Sequence, residues 1–415
     1  MPSRPDDGHI VDVAVAGAGV VGVATAYALA RRGLSVALID RTQHPAMGAS
    51  FANGAQLSYA YSDALGSPAL LKRLPALALG ADPAFRVKAA LDPDLIAWGL
   101  RFLLASSAAS HQNGTLATLA LGLESQKALH ALLARHPLEF GHAEAGKMHL
   151  YFDPAALVGA AEMVKLKARH GATQHVLTAG EARLLEPALA GARDLVGAVY
   201  SPGDEVGDPH RFASELTKVL ADTYRVRTAF GFDVAQADLG ANETVLTAKD
   251  GQRIRARMLV VALGAEAPRF LRKLGVSVPI LPMKGYSFTA PLGSVAPQVS
   301  ITDTQRKIVF CRLSGQMRVA GVAELGNRDL AADPRRFAWL LDAARTSLPE
   351  AADYDSAGAP WTGLRPMTPT STPIISRPRA RLVLNVGHGM LGWTHSMGAA
   401  ERAAALVLES ALYKA

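Results

Sequence analysis

Two stretches of this chain space their glycines in a way that suits phosphate chemistry. Gly17-Ala18-Gly19-Val20-Val21-Gly22 follows an apolar run, Val11–Ala16, and opens a helical stretch that stops at Gly33. A second apolar run, Leu34–Ile39, ends at Asp40. That order predicts strand, turn, helix, strand. Gly17 permits the tight turn, Gly19 lets backbone approach a pyrophosphate, and Gly22 lets helix and strand pack closely. Free N–H groups and the helix dipole then favour an anion at the helix start. Asp40 stands about 20 residues on, where an acid accepts hydrogen bonds from ribose hydroxyls and disfavours the 2′-phosphate of NADP. A membrane anchor over Val13–Ala30 would need about 20 unbroken apolar residues. This run has Gly-x-Gly in its middle and Asp12 just before it.

Gly387, Gly389 and Gly392 repeat the spacing between an apolar run, Leu382–Val386, and a closing helix from Trp393 to near Leu412. No strand with an acid follows, so this is a second helix start offered with bare backbone rather than a second nucleotide site. Such an end suits negative charge. A reduced flavin carries negative charge near its pyrimidine ring, and a nicotinamide needs no such partner. The two helix starts therefore favour FAD, with the pyrophosphate at Gly17–Gly22 and the flavin ring at Gly387, His388, Gly389, Met390, Leu391 and Gly392. The alternative for the second loop is a turn that uses glycine only for packing. His388 either tunes the ring or is held by local hydrogen bonds. Ser50 to Gln56, with Asn53 between, is dense in small residues and amides, which suits backbone over a flat ligand or an ordinary surface loop.

The elements around these loops are those of an α/β protein. A length of 415 residues allows two domains, and 49% apolar against 19% charged residues describes a globular chain with a large core. The opening MPSRPDDGHI has no apolar leader, and the single cysteine, Cys311, excludes an intramolecular disulfide and fits a reducing compartment. A cytoplasmic location is expected. No Cys or His spacing suggests a metal. The net charge of +7 comes from 43 Lys and Arg scattered among 36 Asp and Glu, so nucleic acid is not expected as a partner.

Periodicity predicts helices near 116–133, 154–170 and 334–347. It predicts strands at Met148–Phe152, Val196–Tyr200, Ile254–Ala262, Lys284–Ala290, Lys307–Leu313 and Gln316–Gly321. The strand at Ile254–Ala262 opens at Gly264 into another helix. Prolines 366, 369, 373 and 378 exclude regular helix near the C-terminus. Leu65–Ala109, broken by Pro68, Pro75, Pro83 and Pro93, carries Lys72, Arg73, Arg86, Lys88 and Arg101. Its helices are too short to span a bilayer. They pack over a domain or lie on a membrane surface.

Longer motifs carry a resemblance. Ile39-Asp40-Arg41, the Ser50–Gln56 loop, Pro202–Gly207 with Asp208, LPMKGYS (Leu281–Ser287), RVAGVAE (Arg318–Glu324), WTGLRPMTP (Trp361–Pro369) and GHGMLGWT (Gly387–Thr394) span nearly the whole chain. On these motifs the sequence resembles the FAD-dependent D-amino-acid oxidase superfamily, most closely its bacterial D-amino-acid dehydrogenase small subunits. The resemblance implies a p-hydroxybenzoate-hydroxylase-like architecture. A Rossmann-type FAD domain (1–60, 201–275 and 358–415) would be joined to a mixed-sheet substrate domain (61–200 and 276–357).

It also implies roles for single residues. Arg365 would clamp a substrate carboxylate through its planar fork. Tyr286 would present a hydroxyl near that carboxylate or lid the pocket, unless it is a core tyrosine. Val234 and Gly264 would join Arg41 and the glycine loops around the cofactor. The implied reaction is hydride transfer from the Cα of a D-amino acid to flavin N5, with hydrolysis of the imino acid to a 2-oxo acid and ammonia. Electrons would pass to a quinone or another acceptor besides oxygen, and peripheral membrane contact stays open. The alternatives are an enzyme for a cyclic or N-substituted amino acid, such as D-hydroxyproline, sarcosine or glycine, and a non-catalytic flavin-binding subunit. Some relatives attach flavin through a cysteine, but Cys311 lies in an apolar strand-like run, so non-covalent FAD is expected. The chain departs from the family after WTGLRPMTP. Thr370, Ser371 and Ser376 replace an Asp-Gly pair and a later Gly that lie close to the flavin in relatives.

Overall fold

A computed structural model describes residues 9–78, 80, 82–88, 92–410 and 413. The opening residues 1–8 and parts of the 65–109 stretch lie outside them, as does Leu412. The opening motif folds as its spacing dictates, into β1 (Ile10–Ala16), α1 (Val20–Ala30) and β2 (Val36–Asp40). β1 and β2 pair in parallel, with Val13 opposite Val36 and Ala16 opposite Ile39. Parallel neighbours need a crossover, which α1 supplies. β1 also pairs in parallel with Arg253–Val261, which in turn pairs with Leu382–Val386, while β2 takes Arg227–Phe230. Distant parts of the chain thus meet in one eight-stranded sheet, completed by antiparallel Val234–Leu239, Thr244–Ala248 and Ile374–Arg379.

Side-chain alternation divides that sheet. Val13 and Val15 face a core shared with α1, the helix Pro209–Asp222 and the closing helix Gly392–Leu408. Ala14 and Ala16 face the opposite core with Ile39, Phe270 and Ile280. The helix expected near 116–133 runs longer, Ala108–Arg135, and its Leu129 and Leu132 join the first of these cores.

A nine-stranded mixed sheet forms the second layer, in the order Trp361–Met367, Leu281–Pro291, Gln316–Leu325, Ile308–Leu313, Ser300–Asp303, Lys147–Tyr151, Gly197–Ser201, His175–Thr178. Phe85–Val87 adds to Gln316–Leu325. One face packs Met148, Leu150, Ile301, Phe310 and Val319 with Leu340 of the helix Pro334–Ser347.

Two strands near the C-terminus escape periodicity because of their prolines. Trp361–Met367 is an edge strand of this second sheet, with Pro366 opposite Pro282, although sequence grouped 358–415 with the dinucleotide-binding segments. Ile374–Arg379 is an edge strand of the first sheet and meets Pro378 at a register shift between Ser376 and Arg379. Edges and irregularities are where a strand tolerates proline.

Candidate functional site

A cleft of about 1260 Å³ is lined from both sheets. Gly17, Gly19, Val20, Val21, Asp40, Arg41, Ser50, Asn53, Gln56, Val234 and Gly264 border it, as do His388, Gly389, Met390, Leu391 and Gly392. Arg365 and Tyr286 border it as well. Gly22 and Gly387 stand behind the wall and shape it. Gly17 takes φ +105°, and a Cβ on Gly22 would lie 1.7 Å from the Gly17 carbonyl oxygen. Asp40 is held in place: its Oδ2 accepts from Ala18 N–H at 2.7 Å, and its Oδ1 accepts from the N–H and hydroxyl of Thr42. α1 starts with no side-chain cap and no acid in its first turn. Its one nearby hydroxyl, Ser50 Oγ, accepts from Val20 N–H at 3.3 Å.

The C-terminal loop shares this bareness. Gly387 (φ +78°) and Gly389 (φ +57°) turn the chain into a 3-10 turn, Gly389–Leu391, that continues as Gly392–Leu408 with no side-chain cap and no acid in its first turn. His388 is buried, and its Nε2 has no hydrogen-bond partner among the described residues. Burial, with His395 nearby, pushes its pKa down to about 3, so the ring is neutral. Two uncapped helix starts and an orphaned imidazole nitrogen on one cleft fit an FAD, whose pyrophosphate and flavin ring carry the missing acceptors and donors.

Across the cleft, Arg365 lies on the edge strand opposite Met283. Its guanidinium occupies the space a side chain at position 285 would take: a Cβ on Gly285 would lie 2.3 Å from Nη2. Nη1 donates to the Val322 carbonyl at 3.3 Å. Val322 adopts φ +58° within a bulge that shifts register between Lys284 and Tyr286. That conformation is costly for a β-branched residue and turns the carbonyl toward Arg365. Among the described residues no carboxylate pairs with Arg365, and burial lowers its pKa to about 10, leaving it cationic.

Tyr286 takes the second of the two roles the sequence allows, that of a core tyrosine. Its side chain is 1% exposed in the core beneath the helix Pro334–Ser347, and its hydroxyl accepts from Asp333 N–H at 3.3 Å. Period-two alternation sends it to the face opposite Gly285, so it supports the sheet rather than reaching Arg365. Cys311 is fully buried, its thiol directed at the Ala55 carbonyl and pushed up to about 12 by burial. Thr370, Ser371 and Ser376 do not border the cleft. Ser371 holds φ +63°, a conformation that glycine adopts without strain, and its Oγ accepts from Leu65 N–H at 2.9 Å.

The cleft also includes residues no motif had singled out. Tyr61, Asp63, Lys147 and His149 form a polar wall. Lys147 and His149 share a face of one strand, and polar residues at period two within apolar Lys147–Tyr151 are the signal that marks them. At the Arg365 end the wall is apolar. Trp98 and Phe102 of the helix Pro93–Ala105 pack with Met283 and Met367, and Trp98 Nε1 donates to the Met367 carbonyl. The outer face of that helix exposes Ile96, Leu100, Leu103 and Leu104, the last at 79%. Among the described residues no helix is long and apolar enough to cross a membrane.

Known proteins resemble this chain over nearly its full length. A 40% identical chain from Ralstonia nicotianae, covering 97% of both sequences, is named D-amino acid dehydrogenase 2. A D-amino acid dehydrogenase of Paramagnetospirillum magneticum is 38% identical over 95% of this chain and 94% of its own. Among solved structures, glycine oxidase from Geobacillus kaustophilus superimposes with a TM-score of 0.76 at 22% identity, covering 98% of both chains. L-proline dehydrogenase from P. horikoshii gives 0.75 at 16% identity, over 98% of this chain and 94% of its own. The model of the FAD dependent oxidoreductase family, DAO, matches residues 12–406, and the chain belongs to that family.

Proposed function

We propose that this enzyme oxidises D-amino acids as a dehydrogenase. Arg365 carries the reading: it is a guanidinium on the cleft wall, given room by Gly285, aimed by a strained carbonyl and lacking an acid partner. A desolvated cation of this kind calls for an anion from the ligand. A planar fork pairs with a carboxylate through two parallel hydrogen bonds. FAD, when bound, would supply the two-electron oxidising chemistry, a hydride acceptor for the substrate Cα–H. Arg365 would fix the carboxylate and so position Cα, leaving the turn about the bond between them to the cleft wall. Trp98, Phe102, Met283 and Met367 keep that end of the cleft dry, which strengthens the ion pair. No base is assigned, because an amine bound in its neutral form leaves no proton to remove before oxidation. Main-chain N–H groups of the Met390–Gly392 turn, apart from that of Leu391, which donates to the His388 carbonyl, would stabilise charge on the ring. The FAD is non-covalent, since Cys311 is buried and un-ionised. Acid precipitation that leaves the yellow colour on the protein would overturn that assignment.

The test is an anaerobic panel of D- and L-amino acids watched for loss of flavin absorbance. Bleaching by D-amino acids alone is expected, and no bleaching across the panel would make the chain a non-catalytic flavin carrier. Arg365→Leu should keep its FAD and lose about 10²–10³-fold in kcat/KM, as expected when a buried charged partner is removed. Unchanged kinetics would remove the carboxylate assignment.

The electron acceptor in this reading is a membrane quinone. The stripe Ile96, Leu100, Leu103 and Leu104, beside exposed Lys72 and Arg101, presents an apolar face and positive charge to an anionic bilayer at the cleft's apolar end. Co-sedimentation with anionic vesicles should be lost in Leu104→Asp. Equal sedimentation of both proteins would reject the docking face.

A further inference from the structure

We propose that the cleft holds a second anion recess, built by Lys147, His149, Tyr61 and Thr302, which takes a second carboxylate on the substrate. This rests on the reading of Arg365 as the clamp for the first. Lys147 is 5% exposed, and its ammonium donates to Ser58 Oγ at 2.5 Å. Among the described residues no carboxylate lies within ion-pair distance of it. Its neighbour Lys167, which shares the Tyr61 ring with it, differs in having Asp63 at 2.7 Å. Asp204 and Asp63 act on Lys147 only from farther off; Asp204 Oδ1 is taken by Ala60 N–H, while its Oδ2 is buried without a partner.

Two further groups in the recess lack partners. His149 is 1% exposed with Nδ1 unpaired, and Thr302 Oγ1 is buried and unpaired. Thr302 stands opposite His149 in the parallel ladder, as Ser300 stands opposite Lys147. Tyr61 stacks on the His149 ring, with centroids 3.3 Å apart and planes 18° apart, and fixes its orientation. Burial keeps His149 neutral, so Nδ1 can donate or accept, while Lys147, lowered to about 8, stays largely protonated at pH 7. A buried ammonium with one hydroxyl partner, flanked by an unpaired imidazole and an unpaired hydroxyl, is a site for an anion with hydrogen-bonding oxygens.

The strand of Lys147 is the fifth from the strand of Arg365. At about 4.8 Å per step this is roughly 24 Å along the sheet, of which two long side chains close part. The second carboxylate therefore stands well away from the first, on a long side chain or on a substituent of the amine.

The holoenzyme is titrated with butyrate to dodecanoate and with the dicarboxylates from succinate to dodecanedioate, following the flavin absorbance shift. One dicarboxylate should bind at least tenfold tighter than the monocarboxylate of equal length, and that length measures the span. Lys147→Met should reduce this ratio at least tenfold, and Lys147→Arg should restore part of it. FAD content and melting temperature report whether each variant is folded, and Lys147→Gln serves if the Met variant is not. If monocarboxylates bind and no dicarboxylate binds more tightly, or the ratio survives Lys147→Met, the recess is rejected while the Arg365 clamp stands. If neither acid class perturbs the flavin, both fall. Turnover of D-2-aminosuberate against an N-(5-carboxypentyl) D-amino acid then separates a side-chain carboxylate from one carried on the amine.

Discussion

The two glycine loops share one spacing and differ in what holds them to it. At Gly17–Gly22 the reason is backbone against backbone. A Cβ on Gly17 would lie 2.5 Å from the Ala262 carbonyl oxygen, and one on Gly22 would lie 1.7 Å from that of Gly17. At Gly387–Gly392 the reason is mostly torsional. Gly387 and Gly389 hold positive φ, whereas Gly392 is ordinary right-handed helix whose Cβ would meet only His388 Cβ, at 3.4 Å. Identical spacing therefore marks two jobs: close packing of helix on strand in the first loop, a sharp turn into a helix in the second. In each loop one named glycine escapes the demand: Gly19, at φ −67° with a Cβ 3.5 Å from Ser50 Oγ, and Gly392.

The strongest test is Gly22→Ala. No side-chain rotation relieves a methyl placed against a carbonyl at 1.7 Å, so α1 must move away from β1. Overpacking of this kind costs about 1–3 kcal/mol or more, and here it displaces the helix start argued to hold the pyrophosphate. The purified variant should retain little FAD and melt well below wild type. Wild-type FAD content and melting temperature would show that the first loop is no more constrained than the second.

Legibility followed the same division. β1, α1 and β2 were readable because apolar runs, glycine stops and an acid at fixed offset are all local. The second loop was readable as a helix start, and the orphaned His388 Nε2 only once burial was known. Sequence leaves Tyr286 between pocket and core because a bulge and strand alternation, both set by pairing partners, decide which face it takes. Lys147 and His149 went unnoticed because their chemistry depends on Tyr61 and Thr302, brought near by tertiary pairing. The strands at 361–367 and 374–379 were hidden by prolines that only an edge position accommodates. Ser371 shows the converse: it holds a left-handed backbone without being glycine, with its hydroxyl tied to Leu65.

A pH change should separate the loops more gently, since only the second carries histidine. Burial lowers His388 to about 3 and nearby His395 to about 4, against about 6.5 when unfolded. Below pH 6.5 the unfolded chain takes up protons that the folded chain refuses, so stability falls as pH falls. Each ring contributes a slope of up to about 1.4 kcal/mol per pH unit until its folded pKa is reached. Asp204, raised to about 6 by burial, works in the opposite sense over part of that range. Urea melts at pH 7 and pH 5 should show wild type losing stability on acidification and His388→Asn losing less. Parallel losses in the two proteins would place the acid sensitivity elsewhere.

The smallest expected effect belongs to Gly392→Ala, and it decides whether the second loop uses its last glycine at all. The residue has φ −58° and ψ −34°, values any L-residue adopts within a helix. Alanine there removes unfolded-state freedom, a gain of roughly 0.4–1 kcal/mol. The donor argued to face the flavin is a main-chain N–H, which alanine keeps. The apoprotein should therefore melt slightly higher, with FAD affinity within about twofold of wild type. A large loss of FAD affinity without loss of stability would mean that the cofactor approaches Gly392 as closely as α1 approaches Gly17, and the contrast between the two loops would then be one of degree.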